Sequence, residues 1–316
     1  MTQPTRRDFL KQAGGAAAAL TLGTTAAAFG AAKEDGMKFS ICNETFYDLK
    51  WPQERIFQFA AACGYQGVEI APFTINTDVT KISAAERTAL RKAADSAGIQ
   101  ICGLHWILSK TTQGFNLTSA DPEVRARTAK YLGELARLCA ELGGDVMIFG
   151  SPMQRNRPQT KEDTMSMVEG YRNATDVLKA AVPSLEATGV TIAMEPLATW
   201  ETNFILTAAD AVRLAKMVGS PHVSFMLDCK AMWAMEPMPI PCVIRTQKSP
   251  FVHFHANDPN LQGPGFGQLD FVPIFRALKE VKYDRWVSVE VFDYSPGPEK
   301  LARDSIKYMK QCLAKA

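Results

Sequence analysis

Four residues able to bind a metal or move a proton each close an apolar run in the C-terminal half of the chain. Glu195 follows Ile192-Ala193-Met194, and Asp228 follows Phe225-Met226-Leu227. His255 follows Val252-His253-Phe254, and Glu290 follows Val287-Ser288-Val289. They stand 33, 27 and 35 residues apart. A charge set directly after an apolar run is costly to desolvate unless it is paired or metal-bound. One such carboxylate is often just a helix N-cap or a surface residue, but four in series argue against that. Three carboxylates and one imidazole brought to one point would repel one another without a cation. An oxygen-rich donor set with a single nitrogen suits Mn²⁺, Mg²⁺ or Co²⁺ better than a structural zinc.

The elements that must position them come next. From Met37 onward, short apolar runs alternate with longer helical patterns. Strands are expected at 39–43, 67–70, 100–105, 146–150, 191–195, 223–228, 251–255 and 287–291. Helices are expected at 53–63, 83–97, 121–142, 162–188, 207–218, 271–281 and 298–313, with the Pro-rich segment 233–248 irregular. Ser83 with Glu86 forms a capping box, and Asp121-Pro122 reads as an N-cap followed by proline at the first helical position. Gly64, Gly98, Gly143 and Gly189 stand where helices end. Strand–helix alternation implies βαβ units and a parallel sheet. Eight units favour an α/β fold closed into a single-domain (β/α)8 TIM barrel over 37–316. An open doubly wound sheet is the rival, but no G-x-G-x-x-G follows the first strand. In a barrel the strand C-termini carry the site, so the four residues share one rim.

At these residues the chain resembles the sugar phosphate isomerase/epimerase family of xylose isomerase-like barrels. The stretches that carry the likeness are Ala193-Met194-Glu195-Pro196, Met226-Leu227-Asp228, His253-Phe254-His255-Ala256-Asn257-Asp258 and Ser288-Val289-Glu290-Val291. The Gly-rich loop from Gly263 to Asp270 adds to it. The likeness to the ketose 3-epimerase branch implies that Glu195, Asp228, His255 and Glu290 bind one divalent metal, Mn²⁺ first, with Mg²⁺ or Co²⁺ as substitutes. It also implies that Glu195 and Glu290 form the acid/base pair. A metal on a ketone and its neighbouring hydroxyl would stabilise an enediolate, while one carboxylate takes the α proton and the other returns it on the opposite face. Isomerisation or expulsion of a β-leaving group needs the same apparatus.

The chain departs from that branch in two places. A substrate-contacting His usually stands three residues after the Asp ligand, where this chain has Ala231, and the Arg usually found shortly after the metal His is absent. Lys230 or His105 is therefore expected to take over substrate contacts. Trp106 is a candidate for stacking on a sugar face, and Arg155 for holding an anionic or hydroxylated group. Glu69 is expected to orient a hydroxyl or pair with an arginine, and Asn203 to support Glu195. His253 is assigned to the other side of its strand from His255 and, like His222, to a structural role.

The remaining composition bounds the setting. The chain has 316 residues, is 47% hydrophobic and 22% charged, and carries a net charge of +2. These values exclude a disordered chain and a disulfide-dense mini-protein. Thr5-Arg6-Arg7-Asp8-Phe9-Leu10-Lys11, followed by an uncharged Ala/Gly-rich stretch, resembles a twin-arginine export signal over 1–32. That implies a periplasmic or extracytoplasmic enzyme without stable membrane insertion. The leader holds Arg6, Arg7 and Lys11 against Asp8, a net of +2, which leaves the remainder neutral and without a nucleic-acid footprint. The seven cysteines contain no C-x-x-C and read as buried free thiols, with Cys229 beside Asp228 the one of interest. The expected partner is a small sugar or keto-glycoside, and the likeness implies a homo-oligomer. The leading function is a metal-dependent sugar epimerase or isomerase. The alternatives are a lyase or hydrolase of 3-keto-glycosides and a non-catalytic sugar-binding barrel. An apurinic-endonuclease-like zinc cluster needs more histidines than the four present.

Overall fold

The computed structural model describes residues 36–159 and 164–316; the expected leader lies outside them. The described residues belong to one compact unit. Nine strands are found among the described residues: β1 Lys38–Cys42, β2 Gly67–Ile70, β3 Gln100–Leu104, β4 Val146–Phe149, β5 Thr191–Met194, β6 Val223–Phe225, β7 Leu227–Asp228, β8 Phe254–Ala256 and β9 Trp286–Val289. The helices are α1 Gln53–Cys63, α2 Ala84–Ala97, α3 Pro122–Leu142, α4 Met167–Thr188, α5 Ala208–Val218, α6 Cys229–Met235, α7 Ile240–Thr246, α8 Phe271–Glu280 and α9 Pro298–Lys315.

The strands run β6-β5-β4-β3-β2-β1-β9-β8-β7, all pairings parallel. β6 and β7 are the halves of the expected sixth strand, parted at Met226. The first half pairs with β5 and the second with β8. Met226 N–H donates to the Met194 carbonyl at 3.1 Å and Leu227 N–H to that of His253 at 3.3 Å. The sheet thereby becomes a nearly closed barrel of parallel strands, the TIM-barrel fold expected from the alternation.

Local chemistry fixes the helix ends. Ser83 and Glu86 form the expected capping box on α2, and Asp121 caps α3 ahead of Pro122. Gly64, Gly98, Gly143 and Gly189 all adopt the left-handed conformation that ends a helix and that other residues reach only with strain. The helix expected from 162 starts at Met167 instead, because Ser166 and Glu169 close a second capping box. The segment expected to be irregular holds α6 and α7. Pro239 and Pro241 fall in the cap and first turn of α7, where a missing N–H costs nothing.

Alternate strand residues face the barrel axis. On β4, on β5 and at Met226, the interior is a small apolar cluster of Val146, Ile148, Ala193 and Met226. Across from it the interior is polar. Cys42 Sγ lies 3.8 Å from Glu69 Oε2 and 3.9 Å from Ser288 Oγ, all buried. A register shift between Val68 and Glu69 breaks the β2–β3 ladder at that point. The large core fills the space between barrel and helices.

Candidate active site

Glu195 and Glu290 stand one residue beyond β5 and β9, Asp228 ends β7, and His255 is central in β8. All four are at most 1% exposed, and each offers a ligand atom within 4.8 Å of the others. His255 Nδ1 lies 2.8 Å from Glu195 Oε1 and 3.0 Å from Glu290 Oε2. Asp228 does two jobs. Its Oδ1 accepts the Ala231 N–H at 2.6 Å and so caps α6, while Oδ2 accepts from Asn257 Nδ2 at 2.5 Å. Asn257 Nδ2 also reaches Glu290 Oε2 at 3.4 Å.

Without a cation, this cluster shares the charge of one imidazole. Burial and the neighbouring Glu290 push the Glu195 carboxyl above its usual range. Burial, only partly offset by Lys230, pushes Asp228 up to about 7. His255 resists its own burial, because Glu290, Glu195 and Glu69 hold the ring protonated well above the usual imidazole range. Burial also opposes the charge on Glu290, but His255 outweighs it and holds that carboxyl low. The donor set fits a divalent cation: three carboxylates and a nitrogen converge where the positive charge is a displaceable proton and the nearby Lys230 ammonium. Gly150 makes room for it, since a Cβ there would come within 1.9 Å of Glu195 Oε2.

Beneath the four lies a layer that orients them. Glu69, fully buried on β2, takes His253 Nε2 at 2.6 Å and His255 Nε2 at 3.2 Å. A carboxylate on one ring nitrogen turns the other toward a metal and fixes the tautomer. Burial opposes the Glu69 charge, yet His253 and His255 hold its carboxyl well below the usual range. Glu69 thus pairs with histidines rather than with an arginine. The assignment of His253 to the far side of its strand is corrected. Residues two apart in a strand project to the same face, and the two rings sit 5.2 Å apart in the barrel. His222 is structural, with Nδ1 3.0 Å from the Val190 carbonyl.

A cavity of about 280 Å³ opens above the cluster, with Glu195, Glu290 and Trp106 in its wall. Trp106 Nε1 donates to Glu290 Oε1 at 3.1 Å, and its ring stacks on Phe292 at 6.2 Å. Lys230 is 2% exposed; its Nζ donates to Glu201 Oε1 at 2.7 Å and lies 4.0 Å over the Phe292 ring. Burial disfavours that ammonium, but Asp228 and Glu201 hold it above its usual range. His105 is fully buried, with Nε2 2.7 Å from Glu44 Oε2. Arg155 is placed differently from the substrate contact expected of it. It has no exposed surface, and its guanidinium donates to the carbonyls of Phe149 and Glu195. Burial pushes its pKa down to about 10 despite Glu195 nearby. Asn203 makes no hydrogen bond to Glu195. It clamps the loop at Arg157, accepting that residue's N–H at 2.8 Å and donating to its carbonyl at 2.9 Å.

The profile of the xylose isomerase-like TIM barrel family matches residues 57–312. The chain belongs to that family. A D-psicose 3-epimerase of Ruminiclostridium cellulolyticum is 29% identical over 247 residues, 78% of each chain. A 3-dehydro-D-guloside 4-epimerase of Escherichia coli is 23% identical over 283 residues, 87% of this chain and all of that one. The crystal structure of D-psicose 3-epimerase with D-tagatose from Clostridium cellulolyticum superposes with a TM-score of 0.74 at 22% identity, covering 88% of this chain and 99% of that one.

Within this barrel family member, several site residues escaped the sequence reading. Glu44, Asn257 and Glu201 touch the candidate residues directly, and Cys42 and Ser288 touch Glu69 or line its layer. Ser288 and Asn257 carry a readable signal, each lying two residues from a strand-end position already singled out, and Cys42 is next to last in the expected first strand. Glu44 and Glu201 sit in loops and carry none. All seven cysteines are free, with Cys242 exposed and Cys63 partly exposed against the expected burial. Cys229 is buried at the start of α6.

Proposed function

We propose that the chain is a divalent-metal-dependent sugar epimerase that inverts a carbon next to a carbonyl. The observation that carries this is the division of the cluster. Glu195 and Glu290 open onto one cavity, whereas Asp228 and His255 are sealed beneath it. Two carboxylates on the cavity wall with two partners set back from it suit a site that both grips a cation and moves protons. The sugar-epimerase relatives support the same reading.

Glu195, Asp228, His255 and Glu290 would hold the metal, with Mn²⁺ the first choice. Bound there, a divalent ion supplies the Lewis acidity that makes a proton α to a carbonyl removable. Everything else falls to the chain. One of Glu195 and Glu290 takes the α proton, leaving the electron pair in a substrate enediolate. The other returns a proton to the opposite face, so configuration inverts and no atom is lost. Going back, the two exchange roles. Trp106 fixes Glu290 through its Nε1 hydrogen bond, and the Arg155 guanidinium fixes the Glu195 backbone. Glu201, in the cavity wall and held by Lys230, offers a carboxylate for substrate hydroxyls. The Arg6-Arg7 leader extends the proposal to export of the folded, loaded enzyme.

The test is solvent exchange. The Mn²⁺-loaded protein is incubated with D-fructose, D-psicose, D-tagatose and 3-keto-glucosides in deuterated water. One deuteron incorporated per epimer, lost in Glu195→Gln and Glu290→Gln, supports the reading. Release of an aglycone without epimer would replace epimerisation by elimination. No deuterium in any sugar would overturn both.

A further inference from the structure

A second cavity, of about 600 Å³, adjoins the catalytic one. Trp106, Lys110 and Phe292 line both. The wall between them continues as a row of aromatic rings. Tyr47 and Phe73 have centroids 5.6 Å apart, Phe73 and Trp106 6.1 Å, and Trp106 and Phe292 6.2 Å. Lys110 Nζ lies 4.6 Å from the Tyr47 ring centre and 4.2 Å from that of Phe73. Trp106 and Lys110 both hold left-handed backbone, φ +50° and +57°, which costs a non-glycine residue energy and shows that surrounding contacts dictate this loop.

The far cavity is not simply greasy. Glu44 lines it and is only 3% exposed; its Oε2 lies 2.7 Å from His105 Nε2, while Oε1 accepts no hydrogen bond. A buried carboxylate oxygen left without a donor is expensive, and native structures rarely leave one so. Asp48 adds a second, exposed carboxylate in the same wall. Aromatic faces with carboxylates beside them complement a pyranose: its C–H face lies on the rings and its hydroxyls donate to the oxygens. The catalytic cavity, at about 280 Å³, is at the small end of ligand sites and has little room beyond one sugar ring.

We infer that the substrate is a glycoside. The ring with the reacting carbonyl occupies the catalytic cavity, and a second sugar ring occupies the pocket of Tyr47, Phe73, Trp106 and Glu44. This rests on the epimerase reading above and narrows it from free ketoses to keto-glycosides. Trp106 then joins the subsites. One face borders the second ring while Nε1 holds Glu290, so binding remote from the chemistry sets the geometry at the reacting carbon.

The test measures binding apart from turnover. The Mn²⁺-loaded protein is titrated calorimetrically with cellobiose, maltose and lactose beside D-glucose and D-galactose. The expected result is at least one disaccharide bound tenfold more tightly than both of its component monosaccharides. Tyr47→Ala and Glu44→Gln should each shrink that preference to threefold or less. Tyr47 is 40% exposed, so its truncation spares the core. Equal affinity for one ring and two, or a preference untouched by both variants, overturns the second-ring site. The two readings fail separately. Deuterium exchange into a sugar without disaccharide preference sinks the subsite alone, whereas disaccharide preference without exchange into any keto-sugar sinks the epimerase reading.

Discussion

Glu69→Gln is the most informative single change, because it keeps shape and removes one acceptor. Glu69 holds His253 Nε2 at 2.6 Å and His255 Nε2 at 3.2 Å with its two oxygens. A glutamine offers one oxygen and one NH₂ in the same place, so one of the two ring N–H groups loses its acceptor. The lost bond is charge-assisted and fully buried, worth about 1.5–3 kcal/mol. If the loss falls on His255, its Nδ1 is no longer fixed as the free lone pair, and metal affinity drops by about 10- to 100-fold. That range corresponds to about 1.4–2.7 kcal/mol and agrees with the hydrogen-bond figure. The assay is Mn²⁺ competition against a chelator, wild type beside Glu69→Gln. Melting temperatures with and without metal report stability separately. A purely structural role would lower both melting temperatures equally and leave the dissociation constant alone. A Kd within twofold of wild type refutes the view that Glu69 orients the ligand histidine.

Other outcomes follow from the same geometry. Elemental mass spectrometry should find about one Mn, Mg or Co per wild-type chain and almost none in His255→Ala; no metal in either, and no metal-induced rise in melting temperature, would leave the cluster an ion-pair network. Gly150→Ala drives a methyl to 1.9 Å from Glu195 Oε2, so it should cut epimerase activity at least tenfold while the barrel still folds; unchanged kcat/KM would mean Glu195 moves freely. Metal uptake should release protons at pH 7, because Asp228 sits at about 7 without metal and His255 above its usual range, and both must deprotonate to bind. Affinity is then full above these values and falls as pH drops, by about tenfold or more from pH 7 to 6; a chelator competition that stays flat from pH 6 to 8 would show those charges do not govern binding.

Much of the fold was legible because its signals are local. An apolar run and the charged residue after it are read within a handful of positions, as are a capping box and a terminal glycine. The convergence of Glu195, Asp228, His255 and Glu290 needed one added premise, that equivalent strand ends meet in a barrel. The side of His253 was also legible, since two-residue spacing places it with His255; the period was misapplied rather than missing. The short helices α6 and α7, at seven residues each, are too brief to show a helical period. Loop side chains were the least legible. Arg155 ends a 3-10 turn that swings it under the site, and Asn203 meets Arg157 across two loops. Nothing near either residue encodes that partner.

The partners of Glu69 belong to a third kind, set by the barrel's closure. Val146, Ile148, Ala193 and Met226 fill one side of the interior with carbon, which crowds the buried charges onto the other side. Each polar group there must therefore satisfy another, and the choices are few. Glu69 takes His253 and His255, and Glu195 and Glu290 take the free nitrogen of His255. That leaves His255 with an acceptor at each ring nitrogen and three carboxylates sharing one proton's charge. The divalent ion proposed for the rim would supply the positive charge this layer is short of, and the layer that looks structural would then be what orients its ligands.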